Sequence, residues 1–407
     1  MLRVWVAGKP VGTLDRFGTR GFTFVYDAAT NPQLAVSVTM PIRTASWNTA
    51  NGLAPIFEMN LPEGALRQRL VLRFSKTLES FDDLDLLSLV GKTQIGRLRY
   101  SAFEESLSEK VPFQSIEEIL KARGTSELFE YLLDKFAIHS GLSGVQPKVM
   151  IRGEATADLR QSPRLMTATH IVKFWEPAEY PELAANEFFC LSVARRMGFA
   201  VPEYRLSEEG NALVVARFDL TDDGTYLGFE DFCVLNGLPT ASKYEGGYET
   251  RLFKRASEFI RTPERPKALS DLFKLFVLNC AIRNGDAHLK NFGITYSDVQ
   301  GAAHLAPIYD LITTTAYIPG DVMALSLEGS KKWPDSRRLI KLGQTRADLG
   351  LGMIKRVFEE AADAIAGVSK DVEKYFKNKS KHPEIGERIL SAWRAGVLES
   401  LGLGGSA

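Results

Sequence analysis

Asn284-Gly285-Asp286-Ala287-His288-Leu289-Lys290-Asn291 is the stretch on which the reading of this chain turns. It follows Asp271 to Ile282, a run that is apolar almost all round through Leu272, Phe273, Leu275, Phe276, Val277 and Leu278. A helix of that kind is normally buried in the heart of a domain, so the pattern predicts a rigid anchor for the stretch behind it. Asn284-Gly285-Asp286 is good turn chemistry by itself. The Asp-x-His-x-x-Asn arrangement of Asp286, His288 and Asn291 adds a carboxylate, a cation at Lys290 and an amide oxygen within six residues.

Downstream, Pro307-Ile308-Tyr309-Asp310-Leu311 ends an apolar stretch in an aspartate 24 residues beyond Asp286. Between them, Phe292 to Tyr296 and His304 to Pro307 read as a short hairpin. Upstream, Ser140-Gly141-Leu142-Ser143-Gly144-Val145-Gln146-Pro147-Lys148 reads as a Gly-rich loop. Such a loop can turn its backbone N–H groups toward phosphates. Thr169 to Phe174 is a β-branched strand with Lys173 inside it, and Glu187 follows 14 residues later on a helix running from Glu182 to Gly198. That separation suits a strand lysine held on phosphates by a helix glutamate.

Phosphoryl transfer is mainly positioning and charge neutralisation. It needs a loop over the phosphates, a cation on them, a carboxylate at the attacking hydroxyl, and Mg²⁺ ligands. Those parts occur here in that order. Asp286 is expected to orient the hydroxyl and accept its proton. Asn291 and Asp310 are the expected Mg²⁺ ligands, with Lys290 or His288 stabilising charge on the phosphoryl group. A metal hydrolase is disfavoured, because the chain has five histidines and no HxxxH pair. A Ser-His-Asp hydrolase is disfavoured by the absence of a GxSxG elbow.

The remaining sequence sets the frame. The 407 residues carry equal numbers of basic and acidic side chains, 50 of each, so no overall field favours nucleic acid or an anionic membrane. Cys190, Cys233 and Cys280 are isolated among apolar residues and read as buried thiols. No signal peptide or membrane span is expected, and a cytoplasmic location fits. The first hundred residues are strand-rich: Leu2 to Val6, a turn at Gly8-Lys9-Pro10, Val11 to Leu14, Phe22 to Tyr26 and Leu34 to Val38. Helices follow from Pro62 to Phe74 and from Leu84 to Val90. The expected domains are 1–103, β-rich; 104–135, a helical connector; 136–220, an ATP-binding N-lobe with the Gly-rich loop; and 221–407, a helical C-lobe with the catalytic loop.

The chain resembles the HipA-type serine/threonine kinases, the toxin half of bacterial HipBA toxin–antitoxin modules. The resemblance rests on Phe57 to Gly64, Leu86 to Gly91, Ser143 to Lys148, His170 to Lys173, Asn186-Glu187 and Ala216 to Asp219. It continues through Glu230 to Cys233, Gly237 to Pro239, Lys243 to Glu245, Asp286 to Asn291, and Tyr309-Asp310. It implies an α+β fold: a kinase-like two-lobed core, an N-terminal β-rich subdomain and a helical C-terminal lobe. It implies ATP and Mg²⁺ as cofactors and Asp286 as catalytic base. Lys173 would hold the α-phosphate side of ATP. Ala216, Arg217 and Phe218 would be the hinge that offers backbone groups to adenine. His288, Lys290, Asn291, Tyr309 and Asp310 would line the phosphate and Mg²⁺ site. The implied partners are a HipB-like helix-turn-helix antitoxin, operator DNA reached through it, and a substrate among translation proteins, notably an aminoacyl-tRNA synthetase. The implied outcome is growth arrest.

One position departs from the family pattern. The autophosphorylated serine of the Gly-rich loop falls here on Gly141. Ser143 is the first candidate to take that phosphate and Ser140 the second. Two other readings remain. A small-molecule or lipid kinase is disfavoured by the lack of basic membrane-binding runs. A kinase-like corepressor scaffold, acting with a DNA-binding antitoxin, is disfavoured because every expected catalytic position is filled.

Overall fold

The structure, a computed structural model, describes residues 1–74, 81–123, 125–144, 146–154, 166–175, 179–221 and 223–403. Val145 therefore lies outside the described residues. The chain divides into two compact units. One comprises Met1–Phe174, Val214–Ser242 and Gly293–Ala303; the other comprises Trp175–Leu213, Lys243–Phe292 and His304–Ala407.

The first unit opens with an antiparallel sheet. Its strands run in the order Trp47–Thr49, Gly21–Tyr26, Lys9–Phe17, Leu2–Val6 and Leu98–Ala102. In the first strand Leu2, Val4 and Val6 are buried while Arg3 and Trp5 are not, the period-two pattern of a half-buried strand. The hairpin turn falls on Ala7-Gly8, one residue earlier than the sequence suggests. Both residues have positive φ, 49° and 76°, as a two-residue hairpin turn requires. Lys9 and Pro10 belong to the strand, and Pro10 is accommodated where the register shifts between Val4 and Trp5.

Leu34 to Val38 is not a strand. Asn31 caps a short 3₁₀ turn over Pro32–Leu34. Beyond it, the Ser37 hydroxyl and the Val38 N–H both donate to the buried Glu230 carboxylate, at 2.7 and 2.8 Å. A side chain almost two hundred residues away replaces the ladder that a strand there would need. Glu230 sits on Gly228–Asp231, which pairs antiparallel with Gly293–Tyr296.

The helices Gly64–Phe74 and Asp83–Val90 form as expected, the second with a capping box between Asp82 and Asp85. In the same unit Lys148–Ile151 pairs antiparallel with His170–Phe174. Just past the strand Ala212–Ala216, Arg217 and Asp219 form a fully buried ion pair. Arg217 also donates to the Gln94 and Ala168 carbonyls, and Asp219 accepts from the Gly96 N–H.

The second unit is mainly helical. The long helix Leu351–Asn378 buries Ile354, Val357, Phe358, Ala361, Ile365, Val368 and Val372 on one face. It packs against Leu183–Arg196, Arg265–Ala281 and Pro383–Ala395. Among the described residues no helix is long and apolar enough to cross a membrane. All three cysteines are buried thiols.

Candidate active site

The helix Arg265–Ala281 buries nearly all of its second half, including Leu272, Phe273, Phe276, Val277 and Leu278. The chain leaves it in a hydrogen-bonded turn. Asn284 donates from its backbone N–H to the Asn279 carbonyl at 2.9 Å and from its side-chain amide to Asn279 Oδ1 at 2.7 Å. Its own Oδ1 accepts the Asp286 N–H at 3.1 Å. Arg283 adopts a left-handed φ of 57° that ordinary residues avoid. Its guanidinium compensates by bonding Ser400 Oγ, the Ala395 carbonyl and Glu399.

Gly285 is required by its surroundings. A Cβ there would lie 2.0 Å from Asp321 Oδ2 and 2.6 Å from the Val322 carbonyl. Asp321 cannot retreat easily. It accepts the Thr314 hydroxyl at 2.5 Å, and its carbonyl accepts Trp333 Nε1 at 2.9 Å. Thr314 Oγ1 in turn accepts the Gly285 N–H at 2.8 Å. Gly285→Ala is expected to lower stability by about 1–3 kcal/mol, the usual cost of forcing an extra carbon into a packed site. Thermal unfolding measures this; an unchanged midpoint would contradict the packing.

Asp286 projects from this turn, mostly buried. Its Oδ1 accepts a 2.6 Å hydrogen bond from the Tyr244 hydroxyl. Burial pushes its pKa above the usual carboxylate range, and the charges of Asp310 and Asp321 add to the rise. The Tyr244 bond and the Lys243 cation act the other way. The Lys243 carbonyl accepts the Leu289 N–H at 3.1 Å, which fixes that segment against the loop. The Tyr244 ring meets the His288 ring edge-on at 5.0 Å.

His288 to Asn291 closes into a short turn. Asn291 Oδ1 accepts the His288 N–H at 3.1 Å, and the His288 carbonyl accepts the Asn291 N–H at 3.0 Å. Burial first, then Lys243, pushes the His288 pKa down to about 3. The imidazole is therefore neutral near pH 7, and the cationic charge belongs to Lys290 and Lys243. Tyr309 donates its hydroxyl to the Lys290 carbonyl at 2.9 Å, and Asp310 next to it has φ 53°. The unit also holds Glu187, buried on Leu183–Arg196. Its neighbour Asn186 exchanges two hydrogen bonds with the backbone of Thr313, which steadies the segment after Asp310.

The other predicted residues lie in the first unit. Lys148 and Lys173 are directly opposite each other on the paired strands, so their side chains share a face. Both are buried. Gly144, at φ 115°, lies under Lys148, whose Nζ a Cβ would meet at 2.3 Å. The Gly144 N–H donates to the Glu63 carboxylate at 2.9 Å, so this loop already holds an anionic group. Gln146 donates its amide to the Phe174 carbonyl at 3.0 Å. Ser143 is half-buried. Ser140 is fully buried, donating to the Phe136 carbonyl and accepting the Met150 N–H, both at 2.8 Å. Gly141 has no room for a side chain: a Cβ would meet the Thr93 carbonyl at 2.4 Å and Gln94 Cγ at 2.7 Å. At Ala216 to Phe218 the Arg217 N–H is given to the Thr169 carbonyl at 2.9 Å.

Four further residues of these surroundings carry no role in the sequence reading: Tyr244, Lys243, Asp321 and Glu63. Lys243, Tyr244 and Glu63 fall within stretches that carry the family resemblance, but no local spacing ties them to a site. Asp321 has no sequence signal at all.

Comparison with known proteins adds the following. The HipA N-terminal domain family matches residues 2–101, and the HipA-like C-terminal domain family matches residues 140–374. "Putative kinase Y4mE" of Sinorhizobium fredii (strain NBRC 101917 / NGR234) is 30% identical over 419 residues, covering 94% of each chain. Y4dM of the same strain, similarly named, is 27% identical and covers 82% of each. Among solved structures, one from the Shewanella oneidensis MR-1 complex of HipA, HipB and operator DNA superposes with a TM-score of 0.69. That likeness spans 99% of this chain and 98% of the other at 18% identity, and it is one of fold.

Proposed function

This chain belongs to the HipA family, and on that premise we propose that it transfers the γ-phosphate of ATP to a serine or threonine hydroxyl of a protein. The observation that carries the reading is the Asp286 carboxylate, held on a rigid turn and already accepting a hydroxyl hydrogen bond at 2.6 Å. A general base must be within hydrogen-bond reach of the proton it removes. As the acceptor oxygen bonds to Pγ, its proton passes to Asp286. The bond from Pγ to the β,γ-bridging oxygen breaks, and ADP leaves with that electron pair.

Lys148 and Lys173 support the assignment of a polyphosphate. Two buried lysines opposite each other on paired strands put two cations on one face, the charge that a phosphate chain takes up. Lys290 and Lys243 supply further positive charge near Asp286. Backbone groups of Ala216 to Phe218 are assigned to adenine and Glu187 to the support of Lys173. Asp310 and Asn291 offer oxygen atoms, the donors a hard cation prefers. No group of three His, Cys, Asp or Glu side chains among the described residues could hold a metal. Mg²⁺ takes one or two protein ligands and completes its shell with phosphate and water. When bound, Mg²⁺ supplies neutralisation of phosphate charge.

We assign the chain to a toxin–antitoxin module with a HipB-like antitoxin and, through it, operator DNA. The acceptor is assigned to the translation machinery, such as an aminoacyl-tRNA synthetase. Comparing phosphoproteomes after inducing wild type and Asp286→Asn tests this. A serine or threonine of a translation protein should gain phosphate only with the wild type; the same sites filled by both chains would refute it.

The Gly-rich loop supports Ser143 over Ser140 as the autophosphorylation site. Ser140 is buried with its hydroxyl spent both as donor and as acceptor, and the usual serine position is Gly141. A dianion on Ser143 would repel ATP phosphates and oppose Glu63. After incubation with ATP, phosphopeptide mass spectrometry should place phosphate on Ser143. Phosphate confined to other residues of an active chain would contradict this.

A further inference from the structure

Tyr244 presents its phenol to the carboxylate that the acceptor hydroxyl must reach. The bond from Tyr244 to Asp286 Oδ1 is short, 2.6 Å, and the Tyr244 side chain is 43% exposed. Its backbone neighbourhood is fixed, because the Lys243 carbonyl accepts the Leu289 N–H. The ring is steadied edge-on against His288. The hydroxyl is thus placed on the base by rotatable side-chain bonds at an open edge of the loop, while the backbone behind it stays put.

We propose that Tyr244 is a placeholder for the acceptor: its hydroxyl occupies the acceptor's position on Asp286 and keeps water off the base until a substrate hydroxyl displaces it. The proposal rests on the reading of Asp286 as the base of phosphoryl transfer. With Tyr244 in place, Asp286 Oδ1 is occupied and closed to water, and ATP is not hydrolysed wastefully. An incoming serine or threonine donates to the same oxygen, and the phenol swings toward solvent. Tyr244 is a specificity device here, selecting a protein hydroxyl that brings its own binding energy over water, which brings none.

Tyr244→Phe isolates the hydroxyl, since the ring and its contact with His288 remain. The deciding measurement is hydrolysis of γ-labelled ATP by the purified full chain with Mg²⁺ and no protein acceptor. In that reaction the water oxygen bonds to Pγ, its proton passes to Asp286, the bridging bond breaks, and ADP and inorganic phosphate result. Hydrolysis by Tyr244→Phe should rise about tenfold over wild type, the factor given by one hydrogen bond to a charged group. Asp286→Asn in the Tyr244→Phe background should abolish the gain. Unchanged or slower hydrolysis by Tyr244→Phe, with protein phosphorylation retained, would overturn the placeholder and leave the kinase reading intact. Label on Tyr244 itself in wild type would also overturn it, since the residue would then be an acceptor. Retention of both activities by Asp286→Asn would instead sink the reading of the base.

Discussion

Asp286→Asn is expected to lower the turnover of phosphoryl transfer by about 10²–10⁴-fold, the range a positioned general base contributes. The change is nearly isosteric, and the loop bonds made by the Asp286 backbone, from its N–H to Asn284 Oδ1 and from the His288 N–H to its carbonyl, do not involve the carboxylate. Folding should therefore survive, and nucleotide affinity should change little. The pH profile gives an independent check. Burial and the neighbouring Asp310 and Asp321 raise the pKa of Asp286. A base is inactive once protonated, so wild-type activity should fall on acidification through a pKa above the usual carboxylate range. The residual activity of Asp286→Asn should lack that limb. A wild-type limb at or below the ordinary carboxylate value would argue against this environment.

Asp219→Ala is expected to destabilise the fold by about 3–5 kcal/mol, because it leaves a buried guanidinium without its counter-charge. Arg217 and Asp219 are both inaccessible to solvent and share two hydrogen bonds, at 3.0 and 2.6 Å. The same change removes the acceptor for the Gly96 N–H, at 2.6 Å. A loss of that size is a large fraction of the roughly 5–15 kcal/mol by which domains are stable. Replacing both partners together, as Arg217→Met with Asp219→Leu, should cost less than Asp219→Ala alone, since no unpaired charge stays behind. Chemical denaturation of the two variants beside wild type tests the order. A single mutant as stable as wild type would remove this pair from the account of the fold.

The parts legible in the sequence are those whose signal is local. The apolar helix Arg265–Ala281 announces its burial by composition, and the loop behind it by turn residues. The strand His170–Phe174 and the helix Leu183–Arg196 follow from periodicity in the same way, whereas the α+β class comes from the family resemblance. Leu34 to Val38 misleads for the opposite reason. Its apolar residues suit a strand, but the partner of its backbone is Glu230, which nothing nearby in sequence can announce. The hairpin turn is displaced by one residue because Pro10 looks like a turn residue while the register shift at Val4-Trp5 admits it to the strand. Tyr244 and Asp321 reach the Asp286 loop from 42 residues before Asp286 and 35 after it. Such contacts are set by tertiary packing, so the sequence shows a candidate base but not the phenol on it or the carboxylate beneath Gly285. Gly141 is the reverse case. The sequence marks it as a departure, and the structure supplies the reason, since the Thr93 carbonyl stands where its side chain would be.

The central claim is that the γ-phosphoryl group of ATP moves to a protein hydroxyl under the control of Asp286. Parallel incubations of the purified chain and a proteome with γ-labelled and α-labelled ATP test it most directly. The account predicts acid-stable label on serine or threonine from γ-labelled ATP alone, lost with Asp286→Asn. Label transferred from the α position, or γ-label transfer undiminished in Asp286→Asn, would contradict it.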